Sequence, residues 1–299
     1  MEEEEEPPAI RPSNARATKI PIEDELSTPP LDTASQAPSV SSHQTNSIVQ
    51  APSTLTSFSQ QPPQSISSES PLPPIVQRLL GDRSNEKRKN AALEIEALIK
   101  SLQEANNASM IQSVITILSK DFCTSMNSNY RKGGLIGLAA TAIGLMQNCS
   151  LYLSSLLPPV LHCTDDPEAR VRYYACESLY NIAKVTRSHI LDHFGPIFGG
   201  LTKLYADVDV DVKNGANLLD RLIKDIVTES DSFSVEQFLP LLQTYIRRTN
   251  PYIRQLLVGW ITLLDSIPDV SMVDYLPDFL DGLFNVSFVA PTWIMSGTT

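Results

Sequence analysis

The chain runs to 299 residues, 42% of them hydrophobic, which suffices for a sizeable core in one or two units. A formal net charge of -11 and a pI near 4.8 argue against a general nucleic-acid binder, because duplex phosphates repel such a surface. Met1 is followed by Glu2 to Glu6, the opposite of the basic and then apolar start of a secretory signal, so the sequence reads as cytoplasmic.

Residues 1–73 form a Ser-, Pro- and Gln-rich stretch with few large apolar residues and no period. Such a segment buries too little surface to offset its ordering entropy and is expected to be a disordered extension. The Glu2 to Glu6 run reads as solvated charge. Order is expected from residue 74, where Ile75, Val76, Leu79 and Leu80 return at helical spacing.

From there the sequence repeats itself. Five segments align on one basic residue: Arg88, Arg131, Arg172, Lys213 and Arg254, spaced 43, 41, 41 and 41 residues apart. A period in the low forties without β-rich runs predicts an all-α, HEAT-type α-solenoid of about five helical hairpins over residues 74–285. After Arg88 come Ala91, Ile95 and Leu98; after Arg172 come Ala175, Leu179 and Ile182; after Arg254 come Leu257, Ile261 and Leu264. That spacing puts each set on one helical face. Lys213 departs from it, with Asp220 at plus seven and Leu219 in the apolar role.

Asp166-Pro167 and Asn250-Pro251 have the form of a cap followed by proline at the first helical position. A second amphipathic segment precedes each anchor, and most carry a proline (Pro158-Pro159, Pro196, Pro240, Pro277), so the first helix of each hairpin is expected to be kinked. The cysteines Cys123, Cys149, Cys163 and Cys176 form no C-x-x-C pair and lie in apolar helical stretches, which suits reduced, buried thiols.

Several blocks resemble one family in particular. They include Glu86-Lys87-Arg88-Lys89 with the following Ala91 to Glu96, Arg131 to Ala140, and Arg172 to Ile182. Leu219 to Ser230, Asp274 to Pro277 and Asp281 to Phe284 follow in the same order. They are similar to the Vac-fourteen family, also called ArPIKfyve, over roughly Val76 to Asn285. The resemblance implies a scaffold that organises a phosphatidylinositol 3-phosphate 5-kinase and its opposing lipid phosphatase, peripheral on endosomal or vacuolar membranes through its partners. In that family the amino-terminal repeats go with kinase binding, and the carboxy-terminal region goes with the phosphatase and self-association. The head has no recognised counterpart. Residues 286–299, from Val286 to Thr299, break the pattern where another basic anchor is due near position 295. They are expected to be an aberrant, unstructured tail on a shortened chain that has lost phosphatase binding and self-association.

No residues predict catalysis, a cofactor or a metal. His189 and His193 stand four apart on an expected helix, but without the H-E-x-x-H glutamate or a third ligand they read as ordinary surface and groove histidines. Gly133, Gly134, Gly137 and Gly144 lack a preceding strand and a G-K-[ST] ending, so they read as sites of close helix packing. The apolar run from Gly133 to Met146 is too short to span a bilayer and reads as a buried helix. Asp165, Asp166, Asp207, Asp209 and Asp211 cluster at turns and read as caps or as partners of the next basic anchor. The anchors themselves are expected to form a structural ladder. In the alternative role, as a recognition strip on the concave face, Arg131, Arg172, Lys213 and Arg254 join Lys132, Tyr173 and Tyr174 as candidate protein-binding residues. A cargo-peptide or nuclear-transport adaptor is the alternative function. An armadillo receptor of that kind would show Trp with Asn one turn later, whereas Trp260 is followed by Leu264.

Overall fold

The computed structural model describes residues 70–230, 233–267, 272–277 and 279–280. The expectations for residues 1–69 and for the tail at 286–299 lie outside the described residues. Leu72, inside the stretch expected to be disordered, is already fully buried.

Among the described residues there are ten α-helices and no strand. They pair as hairpins: α1 (Pro74–Leu80) with α2 (Asn85–Glu104), α3 (Ala108–Ile117) with α4 (Ser128–Leu145), and α5 (Leu153–His162) with α6 (Ala169–Thr186). The last two are α7 (Phe194–Tyr205) with α8 (Val210–Thr228), and α9 (Val235–Ile246) with α10 (Pro251–Asp265). Each basic anchor lies in the first turn or so of a second helix. The second helices α2, α4, α6 and α8 pack in a continuous row, while α10 packs on α9 and α7.

Caps explain where these helices begin. Asn250 accepts hydrogen bonds from the Tyr252 and Ile253 amides and Pro251 takes the first position of α10, as its sequence predicts. Asp209 caps α8 by accepting from the Asp211 and Val212 amides, and Asn107 caps α3 through the Met110 amide. Asp166 lies two residues ahead of the cap position expected of it: its carboxylate accepts from the Glu168 amide at 2.9 Å, and α6 starts at Ala169, not at Pro167.

The expected inward face is buried. Ala91, Ile95, Ala175, Leu179, Ile182, Leu257 and Leu264 are almost inaccessible, with Leu98 and Ile261 partly covered. Full burial of one Leu or Ile contributes about 1.5–3 kcal/mol, so the stack, and no single hairpin, supplies the stability. The glycines serve contact as expected. A Cβ on Gly133 would lie 2.1 Å from the Leu80 carbonyl oxygen, and one on Gly134 would lie 2.8 Å from the Cys123 sulfur. All four cysteines are free and buried. Burial pushes the Cys149 thiol up to about 12 and raises that of Cys176 further, which keeps both protonated and unreactive.

The irregular backbone expected at Pro196 lies ahead of the helix instead. Met146 and Arg187, at equivalent places after α4 and α6, take positive φ of 49° and 48°. Each opens a seven-residue 3-10 segment, Met146–Tyr152 and Arg187–His193, before α5 and α7 begin. Pro196 is therefore the third residue of α7, where its missing amide costs nothing. Pro158, Pro159 and Pro240 do lie inside helices. The 3-10 turn also separates His189 from His193: at three residues per turn, positions four apart point about 120° apart, so the two rings do not share a face.

The apolar stretch is longer than expected. Ser128–Asp165 holds a window that would cross a membrane by length and composition, but 61% of that window is buried in the fold. The positive φ at Met146 breaks it between α4 and α5.

Candidate functional site

The anchors build a ladder that fixes one edge of the stack. Arg131 donates from Nε and Nη2 to the two Asp166 oxygens at 2.6 and 3.0 Å. Its Nη1 donates to the carbonyls of Ser125 and Met126 at 2.9 and 3.2 Å. Arg172 repeats this one unit on, donating to Asp207 at 2.5 and 2.8 Å and to the Asp166 and Pro167 carbonyls at 2.7 and 3.2 Å. Each guanidinium thus clamps the loop that enters its own helix and grips an aspartate of the next hairpin. Only a planar, five-donor group fills both roles at once. Burial alone would raise the Asp207 carboxyl, but the Arg172 fork and the Asp209 amide outweigh it and hold the group below the usual aspartate range.

The ends of the ladder differ for identifiable reasons. Arg88 clamps the Asp82 and Arg83 carbonyls at 2.8 and 3.0 Å, but the position that would supply the next carboxylate is Ser125. Its guanidinium instead lies 5.7 Å from the centre of the Tyr174 ring. Lys213 has Arg248 at the equivalent place, a like charge, and its ammonium sits 4.1 Å over the Tyr252 ring. Arg254 donates from Nε to the Arg248 carbonyl at 2.9 Å.

The remaining candidates are also engaged inside the fold. Lys132 pairs with Glu168 at 3.2 Å, and the Ser128 hydroxyl together with Lys132 keeps the Glu168 carboxyl below its ordinary value. The half-buried Tyr173 lies under Arg170, 5.1 Å from its ring centre. Tyr174 is buried, and its hydroxyl donates to Asn85 Oδ1 at 2.8 Å, reaching from the third hairpin to the first. The turn aspartates follow suit: Asp165 meets Lys203 at 3.0 Å and Asp211 meets Arg170 at 3.4 Å.

Two features escape the sequence reading. Asp220, which departs from the repeat, is buried with 5% exposure and accepts from Trp260 Nε1 at 2.8 Å and Lys224 Nζ at 2.7 Å. It ties α8 to α10 beside a cluster of Phe194, Phe198, Phe238 and Trp260 rings. The 40-residue offset to Trp260 is the signal that could have linked them. The second feature is a set of exposed apolar side chains where the loops enter the second helices: Met126, Val208 and, at the first position of α8, Val210.

Comparison with known proteins fits this architecture. A family model described as the Vacuolar 14 Fab1-binding region matches residues 129–225, which run from α4 into α8. A protein of Arabidopsis thaliana, "Protein VAC14 homolog", is 54% identical over 217 residues, covering 73% of this chain and 29% of that protein. A Schizosaccharomyces pombe protein of the same name is 40% identical over 249 residues, covering 71% of this chain and 31% of its own length. "Vacuole morphology and inheritance protein 14" of Saccharomyces cerevisiae is 39% identical over 245 residues, covering 69% of this chain and 28% of its own length. The chain therefore spans less than a third of the length of these relatives. Its repeats, its anchors and this similarity lead to one conclusion: the chain belongs to the Vac14 family.

Proposed function

We propose that the chain is a non-catalytic scaffold that positions a Fab1-type phosphatidylinositol 3-phosphate 5-kinase. The longer family members would place the opposing phosphatase beside it for turnover of phosphatidylinositol 3,5-bisphosphate. The work is positioning through raised effective concentration, not bond making. The observation that carries this reading is the coincidence of the Fab1-binding region, residues 129–225, with the most regular part of the ladder. A rigid stack of aligned hairpins is what a docking platform requires, since the partner then orders few residues on binding. The chain would act in the cytoplasm, held at endosomal or vacuolar membranes by its partners, and the vacuolar wording of the yeast relative's name supports that location. A cargo-peptide receptor is disfavoured because Trp260, its nearest match to a peptide-binding tryptophan, is fully buried.

Co-purification tests the reading. The full chain, checked as folded by circular dichroism, is expected to retain the kinase from a cytosolic extract through washing. A folded bait that captures no kinase contradicts the proposal.

A further inference from the structure

The residues that sequence logic nominates for contact each have a partner within the fold, so we look for a docking surface among side chains that the fold exposes without using. On the loop between first and second helices, Met126 is 98% exposed and Val208 is 89% exposed. Pro167, also exposed, falls between them, and the three are spaced 41 residues apart. Val210, 67% exposed, stands beside Val208 at the first position of α8. Exposed apolar residues scattered singly mean nothing. Met126, Pro167 and Val208 are not scattered, because they share one register of the repeat, and Val210 adjoins the last of them.

They are also held. Arg131 clamps the Met126 carbonyl and Arg172 clamps that of Pro167. In the run from Asp207 to Asp211 the acidic side chains turn to partners in the fold. Asp207 faces Arg172, Asp209 caps α8 and Asp211 faces Arg170, which leaves both valines outward. The edge thus presents rigid apolar side chains among charges that are paired already: Asp165 with Lys203, Asp166 with Arg131, Glu168 with Lys132. Such a surface offers little attraction to a charged ligand and much to an apolar one.

We infer that this loop edge, through Met126, Pro167, Val208 and Val210, is the face on which the Fab1-type kinase docks, by an apolar and uncharged strip of its own surface. The inference rests on the scaffold reading above, and the Fab1-binding region covers three of the four residues. Because every edge carboxylate except the helix-capping Asp209 has a cation of the fold beside it, the contact depends on burial and only weakly on salt.

The test uses the full chain and a purified Fab1-type kinase, with affinity read by interferometry. Met126→Asp with Val208→Asp is the first variant. Val210→Asp is the second, and it keeps helix geometry because an acidic residue suits the amino-terminal turn of α8. Leu218→Asp, on the exposed flank of α8 at 50% exposure, is the control. The expected result is a loss of about tenfold or more in affinity for both edge variants. Melting temperatures stay unchanged, the control binds as wild type, and binding weakens only slightly from low to high salt. Edge variants that bind normally, a loss confined to Leu218→Asp, or a steep salt dependence would each overturn the edge assignment while leaving the scaffold reading intact. A folded wild-type chain that binds no kinase overturns both. Self-association lost in the edge variants with kinase binding preserved assigns the edge to a second copy and also refutes the inference.

Discussion

Replacing Asp220 by alanine removes a buried carboxylate that breaks the repeat pattern. The side chain accepts from Trp260 Nε1 at 2.8 Å and Lys224 Nζ at 2.7 Å, and the residue is 5% exposed. Removing it leaves a buried indole N–H without an acceptor, which costs about 1–3 kcal/mol. It also strips an ammonium of its counter-ion. A fully buried pair broken this way costs about 3–5 kcal/mol, but Lys224 retains 21% exposure and its long stem can turn toward water, so that share shrinks. The net expectation for Asp220→Ala is a loss of about 2–4 kcal/mol. Asp220→Asn keeps an acceptor for the indole and should lose about half as much. Urea unfolding followed by far-ultraviolet circular dichroism measures both, with tryptophan emission as a local reporter of exposure around Trp260. If Asp220→Ala unfolds within about 0.5 kcal/mol of wild type, the buried tie between α8 and α10 is not the stabilising contact argued here.

Two further expectations follow from packing and from titration. Gly133→Ala forces a Cβ to 2.1 Å from a backbone oxygen and should lower the melting temperature clearly, whereas Gly195→Ala meets nothing within 4 Å in α7 and should add about 0.5–1 kcal/mol; equal effects in calorimetry would refute this contrast. Asp207 has a carboxyl held below the usual aspartate value, so it stabilises the fold fully above about pH 4 and progressively less as pH falls through its lowered value. Unfolding midpoints measured down that range should fall more steeply for wild type than for Asp207→Asn, and parallel curves would refute the assignment.

Much of the architecture is legible in sequence because a repeat multiplies weak signals. One basic residue near a helix start means little, but five at near-constant spacing define the hairpins. The same logic finds Asn250 and Pro251 as the start of α10, since a cap is a local matter of one side chain and two amides. The 3-10 segments after Met146 and Arg187 stay hidden because neither residue type announces a positive φ. Proline at position 196 looks like a kink in a string of letters and turns out to occupy the third helical position, because helix starts shift by a turn without changing composition.

The candidate site is less legible, and the reason is pairing. Tyr174 looks like a contact residue until its hydroxyl is found on Asn85, 89 residues away. For Arg131 and Arg172 the sequence leaves a recognition strip open beside the expected ladder, and their forks are found closed on Asp166 and Asp207. Sequence shows which side chains can bind, and only the fold shows which ones are already occupied. Val208 and Met126 carry the opposite lesson. Apolar residues in a loop suggest nothing by themselves, yet their fixed register and exposure set them apart once the loops are placed.

Hydrogen exchange on the full chain, with and without a purified Fab1-type kinase, addresses the central claim most directly. The account predicts kinase-dependent protection confined largely to residues 129–225 and the adjoining loop at Met126, strongest at the entries to α6 and α8. Protection restricted to α9 and α10, or none at all on a chain that binds the kinase, would contradict it.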